Sequence, residues 1–309
     1  MLTVASLAAV LGIVLLSSSD GNANAGRTGR HTEGVDLLQQ VADYTSRFGP
    51  DDGYRPPTKE DRTGIAGAVG LLLDGRRTDA EKQLSQFDFT VTTVRDRVSG
   101  HHYAVVADRT ESAVTPRGWG RVYLDLDSRP RWSVQVPHPV ADRGTEELGV
   151  RVLRGAPGGV LVVAGAHRAS GQGDAADVAH RRDTVFHAVC AELARHKLPA
   201  IQVHGFARSS APGYDVIAST AGAPLGRPEA RRLADALADR DFHVCRAWSR
   251  HCPLEGTENM QGQAADEEHV PFLHVEFAPA LRGDGPEAER AAAAVTVVTR
   301  GWAGGGTSG

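Results

Sequence analysis

The stretch Val160-Leu161-Val162-Val163-Ala164-Gly165-Ala166-His167-Arg168 decides the fold. Its first five residues are apolar without alternation and rich in β-branched side chains, which suits a central strand covered on both faces. The run then stops at a glycine and a His-Arg pair. Working outward, Trp132–Val136 reads as a strand running into Pro137-His138-Pro139, and Ala200–Val203 as another ending at His204-Gly205-Phe206. Tyr103–Ala107, Trp119–Leu126, Tyr214–Ala218 and Pro271–Phe277 are further strands. Helical patterns fall between them. One starts at Thr145, whose hydroxyl is placed to cap it, with Glu146 and Glu147 in the first turn. Others cover Val178–Arg195, Glu229–Ala238 and Pro286–Ala294. Strands alternate with helices, so the main domain is expected to be α/β, with a mostly parallel or mixed sheet flanked by helices.

The chain has 309 residues, 41% of them apolar, enough for one large core. With a net charge of -4 there is no positive field to draw in nucleic acid. The apolar run Leu2–Leu16 is shorter than the about 20 residues a membrane crossing needs. Ala23-Asn24-Ala25 follows it with the small-x-small pattern of a cleavage site. Residues 1–25 are therefore expected to be a signal peptide and the protein to be secreted, without stable membrane insertion. An uncleaved anchor is the alternative, since no Lys or Arg precedes the run. Cys245 and Cys252 can close a short loop in an oxidising compartment, while Cys190 reads as a small buried hydrophobe on a helix. In the leading third, Val35–Phe48 reads as a helix, Gly49–Gly64 as a loop, Ile65–Leu73 as an apolar segment and Phe89–Val98 as a strand. Residues 26–100 are expected to form an N-terminal extension or small accessory region. The main domain would occupy 101–302, and a Gly-rich tail 303–309.

His138, His167, His204 and Glu276 fall at or near the C-terminal ends of separate predicted strands. That edge of an open α/β sheet is where ligands bind. Imidazoles with a carboxylate make a donor set for zinc, and a further carboxylate can serve as base for a water. His138 and His204 are the preferred imidazole ligands, with Asp142 and Glu146 both available as the acidic one. Glu276 lies inside an apolar strand, where it faces solvent on an edge or needs a partner; His274 shares its face. Arg168 can hold a substrate carboxylate. Asp177 and His180 share a face at the start of the Val178–Arg195 helix. Arg143, Arg181 and Arg182 add positive charge near the same rim and suit an anionic substrate. No dinucleotide or P-loop glycine pattern, no Gly-x-Ser-x-Gly elbow and no HExxH motif occurs.

In order, PHPVADRGTEELG (137–149), AGAHR (164–168), DVAHRRDTVFHAV (177–189), QVHGF (202–206) and FLHVEF (272–277) resemble the zinc carboxypeptidase-like metallohydrolases. That group includes poly-γ-glutamate hydrolases, N-formylglutamate amidohydrolases and aspartoacylase-like deacylases. The resemblance implies a carboxypeptidase/phosphorylase-hydrolase-like fold and one zinc ion. It implies His138 and His204 as imidazole ligands, Glu276 as general base and, by chemistry alone, Arg168 as the substrate clamp. The group places a Glu three residues after the first His, whereas this chain has Ala141 there, so Asp142 and Glu146 remain the acidic candidates. The function so implied is a secreted zinc-dependent amidohydrolase acting next to a carboxylate on a small anionic or peptide-like substrate. A non-catalytic binding protein on the same fold and a phosphate-ester hydrolase are the alternatives.

Overall fold

The computed structural model describes residues 34–112 and 116–305. The expected signal peptide, its cleavage point and the last residues of the tail lie outside them. In chain order the elements are β1 (Gly34–Val35), α1 (Leu37–Thr45), α2 (Lys59–Leu73), α3 (Arg77–Ser85), β2 (Phe89–Asp96), β3 (His102–Asp108), β4 (Arg121–Asp125) and β5 (Trp132–Val136). There follow α4 (Thr145–Gly155), β6 (Gly159–Val163), α5 (Val185–Arg195), β7 (Ala200–Gly205), β8 (Val216–Ser219) and α6 (Arg227–Ala238). The chain continues with β9 (Val244–Arg246), α7 (Met260–Glu267), β10 (Phe272–Phe277) and α8 (Pro286–Ala303). The ten strands of the described residues form one mixed sheet in the order β1-β2-β3-β4-β6-β5-β7-β10-β8-β9. Residues 34–100 supply its outer end, with β1 parallel to β2 and β2 antiparallel to β3.

The centre of the sheet is a parallel quartet, β6-β5-β7-β10, whose C-terminal ends share one rim. β6 is buried along its whole length, as a continuous apolar run requires. One sheet face is apolar throughout the quartet: Val134, Val136, Leu161, Val163, Ile201, Val203, Leu273, Val275 and Phe277 join a core with residues of α1, α4, α6 and α8. On the other face, Val160 and Val162 pack with α2, α3 and α5, but the next three strands turn polar. Register puts Gln135 beside Gln202 and Gln202 beside His274, then His204 beside Glu276 one step nearer the rim. In-register neighbours share a face, so these side chains stand together against α5 and α7.

Several local expectations change. α5 begins at Val185, because Thr184 caps it through a bond from His187 N, so Asp177 and His180 lie on a loop. α2 begins inside the predicted loop, at a capping box of Thr58 and Asp61. Thr145 does not cap α4. Gly144 takes the cap position at φ 87°, and a Cβ there would meet Gly283 N at 2.5 Å. α8 runs on to Ala303. The short β1 and β9 and the weakly periodic α7 had no sequence signal. β10 is interior, between β7 and β8, so Glu276 cannot face water from an edge. Cys245 and Cys252 form a disulfide with a Cα–Cα distance of 6.0 Å, and Cys190 is buried and free. Among the described residues no helix is long and apolar enough to cross a membrane.

The outer strands are tied to the core by charge. Asp96 at the end of β2 is fully buried. It accepts bonds from Leu37 N, Ser99 and both Nε and Nη2 of Arg154 on α4. Burial alone would raise its pKa, but the Arg154 and Ser99 bonds outweigh it and hold the carboxyl well below the ordinary range. A depressed carboxylate contributes stability that is complete above its unfolded pKa, about 3.9, and is lost as pH falls below it. Arg154→Met should therefore cost about 3 kcal/mol at pH 7, as expected for a buried charge left without its partner. Urea melts should show that cost shrinking at pH 2.5, where Asp96 of the variant, no longer held down by Arg154, is neutralised in the folded as in the unfolded chain.

Candidate metal centre

The loop after β5 builds the first half of the site. His138 is buried two residues beyond β5, and the chain turns back at once, with Ala141 N bonding Pro139 O at 2.8 Å and Asp142 N bonding His138 O at 2.9 Å. Val140 makes that turn at φ 67°, a conformation costly for a β-branched residue. Such strain is held only where surrounding structure over-determines it. The turn brings Asp142 Oδ2 to 3.4 Å from His138 Nδ1. From β7, His204 Nδ1 approaches the same oxygen at 3.5 Å, and Gly205 N donates to it at 3.1 Å. Donors about 2.0–2.1 Å from a tetrahedral zinc stand roughly 3.4 Å apart, so these spacings match a ligand shell.

The opposite ring nitrogens decide what Nδ1 carries. His138 Nε2 lies 2.7 Å from Asp177 Oδ1, a carboxylate that only accepts, so Nε2 holds a proton. For His204 the proof runs through amides anchored on backbone. Asn259 Oδ1 accepts from Gln261 N and Gly262 N, which turns its Nδ2 toward Gln202 Oε1. Gln261 Nε2 donates to Val178 O at 2.9 Å, leaving its Oε1 to accept from Gln202 Nε2. Gln202 Nε2 also donates to Gln135 Oε1. Gln202 Oε1 must then accept from His204 Nε2, 2.7 Å away. Burial lowers the His204 pKa to about 4, so near neutrality the ring has one proton, and that proton is on Nε2. A bare Nδ1 lone pair faces a carboxylate oxygen, an arrangement that needs a cation.

Asp142 is that carboxylate. Burial works against its charge, but the His138 imidazole beside it pulls the pKa well below the usual range. For His138, burial opposes protonation while Asp142 and Asp177 more than offset it. Two imidazole nitrogens and an oxygen that converge in this way fit a borderline divalent ion, and the carboxylate and amide behind the imidazoles are its usual supports.

Glu276 stands beside this group. Its carboxylate is buried, with Oε2 unpartnered and Oε1 4.0 Å from His274 Nε2. Burial and the Asp142 charge push its pKa up to about 8, against the pull of Arg282 and Arg168. His204, His274 and Glu276 form a second set of mutually close donors. The His204 and His274 ring centres are 4.4 Å apart. Arg168 reaches the site, but its Nη2 is taken by Asp177 Oδ2 at 2.6 Å and its Nη1 lies 3.4 Å from His138 Nδ1.

Other predicted residues are not brought in. Glu146 belongs to neither donor group. It sits buried in the first turn of α4, where burial and the Glu147 charge raise its pKa to about 7 against the pull of nearby backbone amides. His167 accepts from Ala169 N and joins neither group. Arg181 pairs with Asp183 and Arg182 with Glu267, both exposed, and Arg143 is exposed. His180 lies against Asp177 at 3.1 Å.

Solved structures that align with the chain include the following three. A bacteriophage poly-gamma-glutamate hydrolase is 14% identical over 64% of this chain and 96% of its own, with a TM-score of 0.40. N-formylglutamate amidohydrolase from Ralstonia eutropha JMP134 is 14% identical over 57% and 94%, at 0.41. A metallo-carboxypeptidase from Pseudomonas aeruginosa is 14% identical over 73% and 68%, at 0.39. The chain is distantly similar in fold to these three structures. No protein-family model and no curated sequence relative matches it. At these TM-scores the likeness says nothing about chemistry, which this chain's own side chains must supply.

Sequence reasoning missed the amides and Arg282. Gln135 and Gln202 each interrupt an apolar strand, and a polar residue in a central strand is itself a signal. Arg282 follows β10; its Nη1 donates to Arg143 O, its Nη2 to Phe206 O, and its buried Nε has no partner. Gly205 makes room for it, since a Cβ there would lie 2.0 Å from Nη1. Nothing in sequence spacing joins position 282 to 142.

These contacts separate the two acidic candidates. By competition with a chromophoric chelator, Asp142→Ala should abolish tight zinc binding at this centre and Glu146→Gln should leave it unchanged. Gln202→Leu should weaken it about 10–100-fold, as loss of a ligand-orienting partner does.

Proposed function

We propose that this chain is a secreted zinc-dependent hydrolase that cleaves an amide bond next to a carboxylate: a peptide C-terminus, an N-acyl amino acid or a γ-glutamyl linkage. The observation that carries the reading is the approach of His138 Nδ1 and His204 Nδ1 to one oxygen of Asp142, with Glu276 alongside. His138, Asp142 and His204 would hold the ion. Zinc, when bound, polarises a carbonyl and lowers the pKa of a water.

Glu276 is the general base of the proposal. In its ionised form it takes the proton of the attacking water and then passes it to the leaving nitrogen, and burial, which raises its pKa, makes it a stronger base for the first step. His274, which burial and the neighbouring imidazoles keep uncharged, flanks it without competing for that proton. Arg168, half-exposed at the mouth of the site, uses the N–H groups left free by Asp177 to orient the substrate carboxylate. Arg282 offsets the negative charge of Asp142 and Glu276.

The Cys245–Cys252 disulfide supports an oxidising compartment. In this reading residues 1–25 are the export signal, 26–100 an extension, 101–302 the hydrolase domain and 303–309 a tail.

The test is turnover of N-acyl-glutamate and γ-glutamyl peptides by zinc-loaded protein. Glu276→Gln should lower kcat by about 10²–10⁴, the usual contribution of a general base, with zinc affinity retained. Arg168→Met should act mainly on KM. Protein that binds no zinc, or a Glu276→Gln variant as active as the parent, overturns the proposal.

A further inference from the structure

A separate donor cluster lies at the opposite end of the sheet. β3 and β4 are antiparallel with Tyr103 opposite Asp125, so the same register carries His101 to Asp127. Residues two apart on a strand share a face, which places His101, Asp125 and Asp127 together. β4 runs against β6 with Arg121 at Val163 and Leu124 at Val160. Asp125 is therefore level with the start of β6, while the candidate metal centre lies past its end. A strand rises about 3.3 Å per residue, so the two groups are separated by at least about 13 Å.

The donors are ordered. Asp125 is buried, with 2% of its side chain exposed, and no Lys or Arg pairs with it among the described residues. Its Oδ1 accepts from Asp127 N at 2.9 Å and its Oδ2 from Gly158 N at 2.8 Å, which fixes the carboxylate plane. His101 Nδ1 lies 3.6 Å from that Oδ2, and its ring stacks on Tyr103 at 6.4 Å. Asp127 is held by His102, whose backbone N donates to Oδ2 at 2.8 Å and whose Nδ1 lies 3.1 Å from Oδ1. Ligand atoms of His101, Asp125 and Asp127 all lie within 4.8 Å of one another. An imidazole and two carboxylates, one of them buried without a cationic side chain, form an N/O donor set for a borderline divalent ion.

We propose that His101, Asp125 and Asp127, with His102 orienting Asp127, bind a second divalent transition-metal ion at the end of the sheet opposite the candidate metal centre. The ion clamps the start of β3 to the end of β4. It takes no part in the hydrolytic site, and open positions are filled by water, because His101 and Asp127 are 37% and 42% exposed.

The experiment is a zinc titration of chelator-stripped full-length protein by calorimetry. It compares the parent, a His138→Ala/Asp142→Ala protein and a His101→Ala/Asp127→Asn protein. The parent should bind two ions. The first variant should keep one, and the second should lose one with at least tenfold weaker binding there. His101→Ala alone, at an exposed ring, repeats the measurement should the double change disturb folding. A parent that binds one ion, lost entirely with His138→Ala/Asp142→Ala, overturns the proposal. So does a His101→Ala protein with the parent's stoichiometry and affinities. One ion that survives the first variant and is lost in the second would uphold this site while contradicting the hydrolytic one.

Discussion

A neutral imidazole has one proton to place, and in His204 that proton is committed to Gln202. The commitment is not local. It begins at backbone groups that cannot flip, the carbonyl of Val178 and the amides of Gln261 and Gly262, and passes through two side-chain amides before reaching the ring. Because every link is buried, reversing any one would leave a donor facing a donor, at about 1–3 kcal/mol for each unsatisfied group. The lone pair on Nδ1 is thus fixed before any ion arrives, and the strained turn at Val140 sets the Asp142 oxygen opposite it. Preorganisation of this kind concentrates affinity in a few atoms.

The sheet makes it possible. Its parallel quartet is clad in valine, leucine, isoleucine and phenylalanine on one face, so the hydrophobic effect can hold it rigid from that side. The other face is then free to carry glutamine, histidine and glutamate in register, against helices that supply the matching amides. α7 contributes Asn259 at its cap and Gln261 in its first turn, polar residues that would be awkward against an ordinary apolar sheet. The loop closed by the Cys245–Cys252 bridge leads into Gly256, where a Cβ would strike the His274 ring at 2.5 Å.

How much of this was legible follows from range. Continuous or alternating apolar runs fix strands locally, so β3 to β7 and β10 could be read from their own residues, and with them the rim that bears His138, His204 and Glu276. Strand order is a long-range property. Whether β10 lies at an edge or inside depends on β8 folding back antiparallel beside it, which no local pattern states. The same holds for the choice between Asp142 and Glu146: both are close to His138 in sequence, but one left-handed residue, Val140, points the chain so that only Asp142 joins the donor group. The start of α5 was misplaced because Val178 and Ala179 fit a helical face, while the Thr184 cap outweighs that pattern.

The central claim is that His204 presents an unprotonated Nδ1 to Asp142 in the metal-free protein. Long-range ¹⁵N–¹H correlation spectra of the histidine rings measure this directly. The account predicts an Nε2–H tautomer for His204 near neutral pH, with the Nδ1 resonance moving on addition of one equivalent of zinc while Nε2–H is retained. An Nδ1–H tautomer, or a His204 ring whose nitrogen shifts ignore zinc, would contradict it.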